Sequence, residues 1–75
     1  MITLHYIHPE INARRYYTLD VVTDLFGAAT LVKSWGRIGT RGQQMLSSYD
    51  TRENARTAMD QLVRRKTRKG YRRMG

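Results

Sequence analysis

The stretch "KSWGRIGTRGQ", Lys33 to Gln43, sets the chain's only tryptophan between two cations, Lys33 and Arg37, with Arg41 and Gln43 a few residues on. Those residue types serve one chemistry well. An indole ring packs on a ribose or an unpaired base, and neighbouring guanidinium and ammonium groups hold phosphate oxygens. If Lys33, Trp35 and Arg37 share a strand, the period of two puts all three on one face, with Val32, Ser34, Gly36 and Ile38 on the other. The competing reading of Trp35 is a half-buried ring that props up the sheet. The flanking cations turn the choice toward a solvent-facing ring, with Gly36 keeping the strand flat and admitting a backbone close to it. Arg41 and Gln43 add a phosphate or sugar contact at the following turn.

Other chemistries fit poorly. "GRIGTRG" matches neither G-x-G-x-x-G nor G-x-x-x-x-G-K-[ST], and it falls between two strands instead of opening a helix, so it offers no nucleotide cradle. His5 and His8 with Glu10 suggest a metal at first sight, yet a spacing of three on a strand sends the two histidines to opposite faces. No nucleophile has a placed base, and no pair of carboxylates stands out. The expectation is a chain without catalytic residues, metal or cofactor.

These residues need elements to position them. "MITLHYIH" alternates as a first strand with Ile2, Leu4 and Tyr6 on one face, and Pro9 stops it. "RRYYTLDVVTD" follows, with Tyr17, Leu19 and Val21 inward and Tyr16, Thr18 and Asp20 outward. A turn over Asp24 to Ala28 returns the chain as "ATLVKSWGRIG", and "GTRG" turns it again into "QQMLSSY". The period then changes. Ala55, Ala58, Met59, Leu62 and Val63 form one helical stripe, with Asp50 or Thr51 as cap, Glu53 in the first turn and Gly70 as a stop. The predicted fold class is α+β: a small antiparallel sheet of four to five strands with one C-terminal amphipathic helix on one face. Because one helix covers one face, the aliphatic side of the third strand is expected beneath it and Trp35 toward solvent.

Composition sets the frame. The 75 residues suit a single domain, 1–75, and carry 14 Lys+Arg against 6 Asp+Glu, a net charge of +8. Eleven of the cations are arginine, and seven of the fourteen lie in the last twelve residues, "RRKTRKGYRRMG". That balance calls for a polyanionic partner, nucleic acid before an acidic membrane or protein. Residues 64–75 read as a basic helix end and tail, either solvated or tracking phosphates, with Arg65, Arg68 and Lys69 as contacts and Tyr71 packing back on the sheet. Arg14 and Arg15, ahead of the second strand, join the same surface. The chain has no cysteine, no apolar run near the roughly 18 residues of a membrane span and no leader pattern, so the cytoplasm is the expected compartment.

"RRYYTLDVV", "SWGRIGTRGQ", "ENARTAMDQLVRRK" and "KTRKGY", in that order, resemble the WGR domain, over about residues 14–71. The bare triplet recurs by chance; the ordered set is far more specific. WGR domains occur in DNA-dependent poly(ADP-ribose) polymerases and in bacterial proteins, alone or fused. The resemblance implies a small antiparallel sheet with a helix, and a domain that grips a DNA break. Carried over by position, Trp35 packs on a sugar at the strand end, and Arg37 links to neighbouring domains. No partner domain is expected in cis from these 75 residues, and on that expectation a direct phosphate contact or a partner in trans suits Arg37 better. The expected function is a non-catalytic nucleic-acid-binding module for DNA ends or nicks that does not read sequence, located with the nucleoid in a bacterium. The alternative is a protein-interaction adaptor docking through Trp35 and Arg37, since both residue types are favoured in either setting.

Overall fold

The computed structural model describes Met1–Gly75 as a five-stranded antiparallel sheet carrying one helix. Strand β1 (Ile2–His8) runs into a single 3₁₀ turn, Pro9–Ile11, whose Pro9 both ends the strand and opens the turn. Asn12, left-handed at φ 53°, reverses the chain into β2 (Ala13–Thr23). Next come β3 (Ala29–Arg37) and β4 (Gln43–Tyr49), then α1 (Arg52–Arg68) and a short β5 (Arg72–Met74). The spatial order is β4-β3-β2-β1-β5. The last strand returns to lie against β1, pairing Thr3 with Met74 and His5 with Arg72. Part of the tail, expected to be either solvated or tracking phosphates, is therefore a sheet edge.

Both helix ends follow local rules. Thr51 is the N-cap, its hydroxyl accepting from the Asn54 N–H at 3.0 Å. At the other end the Tyr71 N–H donates to Lys66 O at 3.1 Å and the Gly70 N–H to Thr67 O at 3.1 Å, with Gly70 at φ +106°. This is a Schellman turn, which throws Tyr71 back onto the sheet. Removing the cap with Thr51→Ala is expected to cost about 1 kcal/mol in urea unfolding.

The helix lies on the face opposite to the expected one. The β2–β3 register pairs Tyr17 with Trp35, Leu19 with Lys33 and Val21 with Leu31, so the inward row of β2 and the tryptophan share one face. Leu4, Tyr17, Leu19 and Leu31 form the buried cluster, and Met59, Leu62 and Val63 of the helix pack on it together with Trp35. The residues Val32, Ser34 and Gly36 instead look out from the uncovered face beside Asp20, Thr18 and Tyr16. The cause lies in the whole row. Ala29 and Leu31 on the tryptophan side of β3 are buried and outweigh Val32 and Ile38 once β1 and β2 add Leu4 and Leu19. Only seven of 75 residues are buried, so half-buried rings carry an unusual share of the stability.

Candidate nucleic-acid interface

At the Arg37 end of the sheet, the covered face opens into a cleft of about 610 Å³. Its walls come from the 3₁₀ turn, the start of β2, the end of β3, the last helical turns and the residue thrown back by the Schellman turn. Trp35 is half-buried on one wall, its ring stacked on Tyr17 with centroids 5.8 Å apart and planes 15° apart. Across the opening Tyr71 lies against Tyr6, centroids 5.3 Å apart.

Cations are threaded between these rings. Lys66 Nζ sits 4.5 Å from the Tyr17 ring centre and 5.3 Å from that of Tyr71, within cation–π range of both. Burial pulls the Lys66 ammonium below its usual pKa, and Lys69, Arg65 and Arg15 pull in the same direction. Burial likewise pushes the Tyr17 hydroxyl up, helped by Tyr71 and opposed by Arg65. Arg15 and Arg37 are direct cross-strand partners, an arrangement that repels in the absence of an anion. Arg37 donates through Nη1 to Asn12 O at 3.2 Å, with a longer contact of 3.5 Å from Nη2 to Asn12 Oδ1. Three of its five N–H donors remain for a ligand.

No carboxylate offsets this charge. The carboxylates within 4.0 Å of a basic nitrogen are Asp20, beside the N-terminus, and Glu10, beside the His8 ring, so none of the fourteen Lys and Arg side chains has a carboxylate partner at that distance. A group of positive side chains kept apart from every anion, beside flat rings, can hold phosphate oxygens while a sugar or base lies on an aromatic surface.

The triplet's glycine is explained by packing under the other face. A Cβ on Gly36 would stand 2.8 Å from Gly42 Cα, and one on Gly42 would collide with the Trp35 carbonyl and the Tyr16 hydroxyl. Gly42 also holds φ +68°. Tyr16 closes this turn, its hydroxyl donating to Arg41 O at 2.6 Å and Thr40 O at 3.2 Å. The backbone that Gly36 admits is thus the chain's own, and it holds the strand end on which Trp35 and Arg37 stand.

Of the sequence-derived site residues, Arg14, Arg15, Trp35 and Arg37 line the cleft. Gln43 is the β4 partner of Trp35, and Arg65 and Lys69 are near enough to act on Lys66 electrostatically. Lys33 stands away from the cleft, opposite Leu19 and Met45 in the middle of the sheet. Arg41 is exposed on the β3–β4 turn and Arg68 at the helix end. Sequence reasoning passed over Asn12, Tyr17 as a site wall, and Lys66 as anything beyond one charge of a basic run. Lys66 was within reach of the pattern: Ala55, Met59, Leu62 and Lys66 continue one stripe at steps of four, three and four.

The model of one family, the WGR domain, matches residues 1–75. The chain belongs to the WGR domain family. Among curated proteins it is 39% identical over 66 residues to the uncharacterized protein y4dW of Sinorhizobium fredii (strain NBRC 101917 / NGR234). That alignment covers 88% of this WGR domain but 32% of the relative, so the chain spans about a third of that protein's length. WGR domains are associated with nucleic-acid binding in poly(ADP-ribose) polymerases, and the family is one of binding domains.

Proposed function

We propose that this WGR domain is a non-catalytic module that binds nucleic acid at a DNA end or nick without reading sequence. The observation that carries the reading is the cleft, in which the rings of Tyr17, Trp35 and Tyr71 meet the cations Arg15, Arg37 and Lys66 with no carboxylate among them. Trp35 takes the terminal sugar on the part of its ring not stacked on Tyr17. Arg15, Arg37 and Lys66 hold the adjoining phosphates, with Arg14, Arg65 and Lys69 extending the positive surface along the backbone. Side chains of this kind contact sugar and phosphate and so fix position on the strand without discriminating among bases.

The test is equilibrium binding to blunt duplex, nicked duplex, closed circle and single strand across a salt series. Each phosphate neutralised on duplex DNA contributes a slope of about −0.9 in log affinity against log salt, so four or five contacts predict a slope near −4. Replacing both Arg15 and Lys66 by glutamine is expected to make that slope shallower by about 2. A closed circle bound as tightly as an end would overturn the proposed preference. A flat salt response would overturn nucleic-acid binding itself and point to docking on a protein.

A further inference from the structure

Strand β4 is an open edge of the sheet, and we propose that it pairs antiparallel with β4 of a second copy of this chain, about a two-fold axis through Leu46. Its only strand neighbour is β3, so alternate residues turn both backbone N–H and C=O groups away from the sheet. Proteins usually guard such an edge with Lys, Pro or a bulge. Gln43–Tyr49, "QQMLSSY", carries no charged residue and no proline in a chain where 27% of residues are charged, and its register with β3 runs unbroken from Tyr49 to Gln43. Leu46 is 62% exposed and Met45 52%, and neither belongs to the buried cluster.

One register sets the exposed Leu46 of each copy against the other. With Leu46 opposite Leu46 of the second copy, Met45 meets Ser47, Gln44 meets Ser48 and Gln43 meets Tyr49. On the uncovered face Val32 is the β3 partner of Leu46, so the pairing builds a continuous apolar row: Val32, Leu46, then Leu46 and Val32 of the second copy. The ends match in charge as well. Beyond the paired strands, the turn that carries Arg41 in each copy lies at the same end of the new ladder as Asp50 of the other, cation toward carboxylate. The antiparallel arrangement also sends the two Arg37 ends to opposite ends of the joined sheet, which moderates the repulsion between two chains of +8. One seven-residue strand pairing is small beside a standard interface of about 1,600 Å², so the dimer is expected to form at roughly 10 μM to 1 mM. It leaves both clefts open, and only this last consequence, two end-binding sites on one dimer, rests on the reading above.

Sedimentation equilibrium on the free protein up to about 1 mM tests the association without nucleic acid. The expected result is a rise from 8.8 kDa toward twice that mass. Leu46→Lys sets two like charges opposite each other at the axis and is expected to weaken the dimer about tenfold or more, with an unchanged melting midpoint. Because the chain has no native cysteine, register is read separately. Leu46→Cys should cross-link to itself under mild oxidation, whereas Gln44→Cys, facing Ser48 of the second copy, should not. A monomer throughout the range, a dimer indifferent to Leu46→Lys, or stronger cross-linking at position 44 than at 46 would each overturn the proposal.

Discussion

Trp35→Ala is expected to lose folding stability and affinity together, each by a measurable amount. Burying a large aromatic side chain completely is worth about 3 to 5 kcal/mol against alanine, and Trp35 is half-buried, so about 2 kcal/mol of stability should go. The loss falls on the Tyr17 stack and on the edge of the Leu4, Leu19 and Leu31 cluster. In a domain of this size that lowers the melting midpoint by roughly 10 °C. If the remaining ring surface packs on a terminal sugar, affinity for a duplex end falls a further 5- to 150-fold, from about 1 to 3 kcal/mol of stacking. The two effects separate when binding is measured well below the variant's melting midpoint. A variant that melts with the parent would remove Trp35 from the core, and a folded variant that binds ends as tightly as the parent would remove it from the proposed contact.

The second large effect lies at a residue with no functional group. Gly42→Ala meets two penalties, a left-handed φ of +68° and a Cβ directed into the Trp35 carbonyl and the Tyr16 hydroxyl. The conformational part costs about 1 kcal/mol, and relieving the collision requires the β3–β4 turn or Tyr16 to move, for a total of roughly 2 to 4 kcal/mol. Gly39 provides the control. It holds φ +93° but has open space around its Cβ position, so Gly39→Ala should incur the conformational part alone. Urea unfolding of the two variants isolates the packing contribution. Equal losses at positions 39 and 42 would show that the turn needs backbone freedom and not the close approach of Tyr16.

Much of the fold was legible because its signals are local. Alternation in β1 and β2, glycines at the turns, Pro9 at the strand end and the Ala55-to-Val63 stripe each act over a few residues, and the elements formed where those patterns put them. The run "QQMLSSY" coincides with β4, and Thr51 caps α1. Charge was equally plain, as was the ordered set of motifs around "WGRIGTRGQ". What β3 could not reveal by itself was its inward face, because it is amphipathic both ways: Val32 and Ile38 on one side, Ala29 and Leu31 beside Trp35 on the other. The cross-strand register made that choice by adding Leu19 and Leu4 to one side, and the sum of apolar area over three strands decided where the helix lies.

The cleft was decided at the same level. Its parts come from residues 11–17, 35–37, 66 and 71, and nothing in the local sequence says that Lys66 reaches between Tyr17 and Tyr71 or that Asn12 anchors Arg37. The sequence by itself determined the elements, the excess of positive charge and the tryptophan flanked by cations. Tertiary structure decided which of those cations stand together, because side chains distant in sequence meet only after strand register and the Schellman turn have set where each backbone segment lies.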